Sequence, residues 1–317
     1  EDSATDDRML LAIDLAVKNR LVSFDCAPNY RNTRSEKVLG KFLSKQKEMR
    51  PNLTIATKGG FIPYDFSNTS DEREKEYLNK YVESGIFTID SVNQYYFQCF
   101  SVSYLEHELN NSLSRMCTDY VDIYYLHNME YLLRTKGEDL FYKEIEIIFN
   151  WIKRKISEGK IKYFGIASWD GLFSENLVNI QLEKMCDLAN KVGVGKEFKY
   201  IQFPLNLLNI HSYTSTTQMY ENNSYSLMSL IDKFQLKAVC NAIFAQGKVQ
   251  NIKNKISQSV LLGDNIFVQS LNFVLSAPGI SHFIFGCIDD KHLLDNINIV
   301  NKSRYNSSNF YAFFTKE

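Results

Sequence analysis

Short apolar runs recur along the chain, each ending on a polar or turn-forming residue, and the stretches between them return apolar residues every three or four positions. That alternation predicts strands joined by amphipathic helices, the signature of consecutive βα units and a parallel sheet. The predicted strands are LVSFDCA (21–27), LTIATKGG (53–60), VDIYYLHN (121–128), IKYFGIAS (161–168), YIQFPLNL (200–207), LKAVCNAI (236–243) and HFIFGCI (282–288). The helices between them have local causes. In TRSEKVLGKFLSK, Thr33 and Glu36 have the spacing of a capping box, while Val38 stacks over Phe42 and Leu39 over Leu43. FYKEIEIIFNWIKRKISEGK sets Ile145, Ile148, Ile152 and Ile156 on one face and stops at Gly159. The leading stretch TDDRMLLAIDLAVKN has acidic residues in its first turn and a stripe of Leu10, Ile13 and Val17. It is a helix with no strand in front of it.

Seven strands with helices outside them predict an α/β protein, a (β/α)8 barrel of the TIM type whose first strand is missing from the sequence. An open doubly wound sheet is the competing architecture. No G-x-G-x-x-G follows a strand, and GVGK at 193–196 fails as a P-loop because Asn190 occupies the first Gly position and Glu197 the Ser/Thr position. The barrel is therefore the expected fold, as a single domain over 1–317 with long connections at 61–100 and 207–223 and a C-terminal tail at 302–317. A barrel without its first strand would expose two strand edges. The absence of an initiating Met suggests a start trimmed from a longer chain.

Composition narrows the function classes. At 317 residues and 44% hydrophobic, the chain can bury a large core. Its 36 Lys+Arg balance 37 Asp+Glu, so no overall field favours nucleic acid or an acidic membrane. Cys26, Cys99, Cys117, Cys186, Cys240 and Cys287 are scattered singly, without a disulfide framework or metal-knuckle spacing, which suits a reducing compartment. No apolar stretch reaches the ~18 residues of a membrane span, and EDSATDD is unlike a signal peptide. Sequons at Asn52, Asn68 and Asn306 are what an Asn-rich chain contains by chance. The expectation is a cytoplasmic protein with no metal, membrane or nucleic-acid partner.

Parallel strands deliver their C-terminal ends to one rim, and the residues found there are Asp25, Lys58, His127 and Ser168, with Tyr30 just beyond Asp25. Singly, such a Lys snorkels to water and such a His is a structural hydrogen-bonding group. Together they form a proton-transfer set. A tyrosine of pKa about 10 is a poor acid near neutrality. An adjacent ammonium is expected to lower that value, and a carboxylate paired with the ammonium to hold it charged and in place. An imidazole beside them can donate to a carbonyl oxygen as negative charge develops. Such a set suits protonation of a carbonyl while a nicotinamide or flavin delivers hydride, which no side chain can do.

These residues resemble a known family. FDCAPNYRNTRSEKVLG is similar to the aldo-keto reductase segment in which a strand-end Asp is followed five residues later by the catalytic Tyr and then by an R-S-E helix start. TIATKGG resembles the strand bearing the catalytic Lys, VDIYYLHN the strand bearing the His, and GKIKYFGIAS the strand whose end binds the nicotinamide carboxamide. LNFVLSAPGISHFIFGCIDDKHLLDNI resembles the last helix, last strand and coenzyme-clasping helix start. The resemblance implies Tyr30 as proton donor, Lys58 and Asp25 as its tuners and His127 as the group orienting a small aldehyde or ketone. It implies Ser168 and Gln202 at the carboxamide, Ala245, Gln246, Gly247 and Val249 at the pyrophosphate, and Gly286, Cys287, Asp289, His292, Asp295 and Asn296 near the adenosine. Phe61 and Trp169 are candidates for the substrate pocket.

Two positions depart from the family pattern. Asn241 stands where many members stack a Tyr on the nicotinamide, so stacking is lost or comes from Trp169 or Phe244. Asp289 stands where a Lys or Arg usually meets the adenosine 2'-phosphate, and a carboxylate repels phosphate. NADP(H) is the expected coenzyme, with NAD(H) an alternative and Lys291 or His292 as compensating cations. A coenzyme-holding regulatory or scaffold subunit of the same fold is the competing function. The complete proton-transfer set favours the reductase.

Overall fold

The computed structural model describes residues 3–252, 263–302 and 307–314, and in them the chain divides into two compact units, Glu1–Ala167 with Lys184–Lys199, and Ser168–Glu183 with Tyr200–Glu317. The first contains α1 (Ser3–Lys18), β1 (Ser23–Asp25), α2 (Arg34–Lys45), β2 (Thr54–Gly59), α3 (Asp71–Glu83), α4 (Val102–Arg115), β3 (Val121–His127), α5 (Glu130–Lys136), α6 (Glu138–Ser157), β4 (Ile161–Ala167) and most of α7 (Leu182–Val192). Its strands pair in parallel in the order β1-β2-β3-β4. Every residue of β3 is buried, as befits a central parallel strand covered on both faces. The register sets Asp25 opposite Ala56, Lys58 opposite Tyr125 and His127 opposite Ala167, so all three functional candidates fall at strand C-termini.

The helices bury the faces that the periodicity indicated. Val38, Leu39, Phe42 and Leu43 of α2 are buried, as are Ile145, Ile148 and Ile152 of α6, each such side chain contributing about 1.5–3 kcal/mol of transfer free energy. Gly159 has φ 72°, the left-handed conformation that ends a helix at low cost. In α1 the buried positions are Asp6, Ala12 and Ala16, and Leu10, Ile13 and Val17 lie half-buried beside them.

The expected capping box of α2 does not form. Thr33 has φ 69° and its side chain caps nothing. Glu36 turns inward instead, fully buried, and accepts hydrogen bonds from Thr57 Oγ1 at 2.6 Å and Arg115 Nε at 2.6 Å. A buried guanidinium and hydroxyl outcompete a solvent-facing backbone amide for that carboxylate. Glu36 thereby ties α2 and α4 to β2 one residue before Lys58. At the opposite strand ends, Asp122 pairs with Arg50 at 2.9 Å and Lys162 at 2.8 Å, and accepts from the Ile55 amide at 2.9 Å.

The 61–100 connection carries its own structure. Ser70 caps α3 by accepting from the Arg73 amide at 3.4 Å, and Val92–Asn93 pairs with Gln98–Cys99 in a short hairpin. Only Leu78 of α3 is buried, which is why no apolar stripe marked the helix in the sequence.

In the second unit β5 (Phe198–Pro204, within this unit from Tyr200), β6 (Lys237–Asn241) and β7 (Ile280–Phe283) pair in parallel in that order. The connection after β5 holds α8 (His211–Thr214) and a hairpin of Gln218–Tyr220 with Asn223–Tyr225; α9 (Leu227–Lys233), α10 (Ile266–Ser276), α11 (Asp290–Lys302) and α12 (Ser307–Phe314) complete the described elements. The seventh strand starts two residues earlier than 282–288 and ends at Phe283. Its apolar continuation leaves the sheet, with Gly286 and Ile288 exposed. Part of the expected tail, 303–306 and 315–317, and the sequon at Asn306 lie outside the described residues. Among the described residues no helix is long and apolar enough to cross a membrane, and no group of three His, Cys, Asp or Glu gathers to hold a metal.

Candidate active site

Asp25 is the last residue of β1, and the chain then turns through Pro28 and Asn29 to Tyr30. The Tyr30 amide donates to the Ala27 carbonyl at 3.0 Å and the Thr33 amide to the Pro28 carbonyl at 2.7 Å. Lys58 enters from β2 with its side chain fully buried. Its ammonium donates to the Asp25 carboxylate and, at 3.0 Å, to the Cys26 carbonyl, and it lies 4.7 Å from the centre of the Tyr30 ring. The carboxylate and the carbonyl hold this charge against the cost of burial.

His127 completes the group from the end of β3. Its ring lies 6.0 Å from that of Tyr30 and 4.8 Å from that of Phe61, edge to face in both cases. Burial first, and then the Lys58 charge, holds the imidazole pKa well below its ordinary value, so the ring is neutral at physiological pH. Its Nδ1 is buried without a hydrogen-bond partner among the described residues.

The Tyr30 pKa corrects one expectation. Desolvation raises it, and although Lys58 pulls it down, the net shift is upward from 10. Lys58 itself is raised, since Asp25 and Tyr30 outweigh the desolvation that opposes them. The phenol therefore holds its proton at neutral pH, and the ammonium limits the cost of giving it up. Burial likewise pushes the neighbouring Cys26 thiol up to about 12, which keeps it protonated and inert.

Residues far from any motif hold this group. Gln98, 1% exposed, donates from Nε2 to the His127 carbonyl at 3.2 Å and the Asn128 carbonyl at 3.4 Å, and its backbone bridges Phe61. The 61–100 segment thus returns to clamp the end of β3. Nothing in QYYFQCF marks Gln98 in advance, because its partners are backbone atoms about 30 residues away.

The remaining candidates belong to the second unit. The Ser168 amide donates to the Gln202 carbonyl at 2.9 Å, and Ser168 Oγ accepts from the Gly171 amide at 2.9 Å. Asn241 Nδ2 donates to Gln202 Oε1 at 3.3 Å, while Asn241 Oδ1 is buried without a partner among the described residues. Trp169 is 42% exposed. Ala245, Gln246, Gly247 and Val249 lie in the turn Ala245–Asn251, where Ala245, Gln246 and Gly247 have φ of 46°, 55° and 85°. Beyond β7, Cys287 Sγ donates to the Asp289 carbonyl at 3.3 Å, and Asp289 Oδ1 accepts from the His292 amide at 3.0 Å, capping α11. Gly286, His292 and Asp295 are exposed, and Asn296 is half-buried. The orphaned Asn241 acceptor beside Gln202 fits a carboxamide, which needs an acceptor for its NH2 group. In the left-handed turn the Ala245 amide donates to the Ala242 carbonyl at 2.7 Å and the Gly247 amide to the Phe244 carbonyl at 2.8 Å. Asp289 supplies no cation for a 2'-phosphate.

Parallel βα units that gather polar groups at their strand C-termini are the arrangement of a (β/α) barrel. The sequence pattern of the Aldo/keto reductase family matches residues 2–229, and the chain belongs to that family. The chain shares its fold with a glycerol dehydrogenase from Gluconobacter oxydans (TM-score 0.67, 15% identity, covering 99% of this chain and 86% of that one). It also matches an aldo-keto reductase from Bacillus halodurans in its holo form (TM-score 0.66, 15% identity, 98% and 87% covered). An aldo-keto reductase from Klebsiella pneumoniae in complex with NADPH gives a TM-score of 0.59 at 15% identity, with 98% and 86% covered. An uncharacterized oxidoreductase of Bacillus subtilis, YcsN, is 24% identical over 187 residues, 56% of this chain and 52% of that protein. A probable aldo-keto reductase of Glycine max is 24% identical over 155 residues, 49% of this chain and 34% of its own. The chain thus spans about half the length of the first of these relatives and a third of the second. Asn241 and the candidates from Ala245 to Asn296 follow the segment that the family pattern matches.

Proposed function

We propose that the protein reduces a small aldehyde or ketone to the alcohol with NADP(H). The observation that carries this reading is the buried Lys58 ammonium, shared between Asp25 and Tyr30, with the neutral His127 ring beside the phenol. A bound reduced nicotinamide supplies hydride to the carbonyl carbon. Tyr30 delivers a proton from its hydroxyl to the carbonyl oxygen, and Lys58 stabilises the phenolate left behind. Asp25 keeps Lys58 charged and aimed. His127, neutral at working pH, orients the carbonyl by hydrogen bonding without competing for the proton. Phe61, edge-on to His127, supplies apolar surface at the same place. Ser168, Gln202 and Asn241 hold the carboxamide, the 245–249 turn the pyrophosphate, and Gly286, Cys287, Asp289, His292, Asp295 and Asn296 the adenosine end.

Family membership supports NADP(H), and the Klebsiella pneumoniae relatives were solved with NADP or NADPH. NAD(H) is the second reading, favoured by Asp289, whose carboxylate caps α11 at the position where a phosphate would need a cation. Titration of both coenzymes, followed by the intrinsic fluorescence of Trp151 and Trp169, separates the two. A carbonyl panel with NADPH tests the activity. Tyr30→Phe is expected to lose at least about 100-fold in kcat with coenzyme affinity retained. A Tyr30→Phe enzyme of full activity would overturn the mechanism.

A further inference from the structure

Tyr30 is followed by three successive residues with left-handed backbone, Arg31 (φ 51°), Asn32 (φ 47°) and Thr33 (φ 69°), none of them glycine. Left-handed backbone is unfavourable for a residue with a Cβ, and a run of three persists only when surrounding groups hold it. Beside the backbone bonds of the turn, the side chain that contacts this run from another element is Asp6, on α1. Its side chain is 10% exposed, and its carboxylate pairs with Arg31 Nη1 at 2.9 Å and accepts from Arg34 Nη2 at 2.7 Å and Arg34 Nε at 3.2 Å. Arg31 is the first of the left-handed residues and Arg34 follows the last, so one buried carboxylate contacts the run at its start and just past its end. Tyr30 immediately precedes the run, and its ring centre lies 4.7 Å from the Lys58 ammonium.

We propose that Asp6 is a positioning residue for Tyr30, acting through Arg31 and Arg34 to hold the strained turn that sets the phenol over Lys58. The inference rests on the catalytic reading of Tyr30 given above. Asp6 reaches neither Lys58 nor His127 by any hydrogen bond or ion pair described, so its effect passes through the turn.

The test compares Asp6→Ala and Asp6→Glu in the wild-type and Tyr30→Phe backgrounds, with Arg31→Gln attacking the clamp from its other side in case Asp6→Ala folds poorly. Asp6→Ala is expected to lower kcat about 10-fold or more with KM for the carbonyl changed less than about 2-fold, since an ångström of misplacement costs up to about 100-fold. Asp6→Glu restores most of that loss. In the Tyr30→Phe background the same substitution adds no further loss to the residual rate. The 13Cζ resonance of Tyr30, assigned by its absence in Tyr30→Phe, moves in Asp6→Ala and in Arg31→Gln. Equal losses in the two backgrounds, or an unmoved resonance in a folded Asp6→Ala protein, overturn the proposal. If Tyr30→Phe keeps full activity the catalytic reading fails instead, and the resonance alone decides the clamp.

Discussion

Lys58 and Tyr30 meet as a buried ammonium over a phenol ring, 4.7 Å from nitrogen to ring centre, and each shifts the ionisation of the other. The raised Lys58 pKa means that the pair stabilises the fold fully below the unfolded lysine value, and that this contribution is lost as pH rises through the higher folded value. Lys58→Met removes the charge and leaves the Asp25 carboxylate, 10% exposed, without its ammonium. The expected outcome is a loss of about 3 kcal/mol in urea unfolding and of at least about 100-fold in kcat. Retained activity would exclude Lys58 from proton transfer.

His127 makes stability pH-dependent on the acid side. Its folded pKa lies far below the ordinary 6.5, so below pH 6.5 the unfolded chain takes up a proton that the folded chain refuses. Between pH 7.5 and 5.5 this group alone is expected to remove about 1.4 kcal/mol of stability. His107 and His282 shift in the same direction for the same first cause, burial. Comparison with His127→Gln isolates the share of His127: its stability should fall less over that interval, and an unchanged pH dependence would contradict a buried neutral imidazole.

Gly59 and Gly60 separate Lys58 from Phe61; Gly60 has φ 125°, and a Cβ there would sit 2.5 Å from the Phe100 ring and 3.3 Å from the His127 carbonyl oxygen. Gly60→Ala is expected to cost about 2 kcal/mol or more and to lower kcat, because either the backbone or Phe100 must move next to His127. Equilibrium unfolding and steady-state kinetics on the same preparation check both. A neutral substitution would show that this turn tolerates displacement.

Among the described residues, Asn241 offers a buried acceptor left open beside Gln202. Asn241→Ala is expected to weaken NADPH binding about 10-fold with Tm nearly unchanged, the size of one good hydrogen bond. Fluorescence titration measures it. Equal affinity would move the carboxamide away from Asn241.

Asp122 tests the reverse separation, stability without chemistry. Asp122→Ala leaves Arg50 buried without its partner and the Ile55 amide unpaired, so a loss of about 3–5 kcal/mol is expected with kcat intact in the folded protein. A collapse of kcat at normal stability would tie this cluster to the site.

Much was legible in local order because strands and helices are local. Short apolar runs and the 3.6-residue period between them indicated which segments are strands and which helices, and Asp25, Lys58 and His127 could be placed at strand ends because parallel βα units deliver every C-terminus to one side. Tertiary structure alone decided what depends on partners distant in sequence. Glu36 left its capping role because Thr57 and Arg115, 21 and 79 residues away, offered buried donors. The strand expected at 282–288 ended at Phe283, since an apolar run becomes a strand only where a neighbour pairs with it and other elements cover it. Tyr30 moved to a higher rather than a lower pKa because the desolvation around the phenol outweighs the one ammonium that the sequence could place beside it. Gln98 and Asp6 look in the sequence like an unremarkable amide and a first-turn acid. Only the folded chain brings the first to the carbonyl of His127 and the second to both ends of the turn that carries Tyr30.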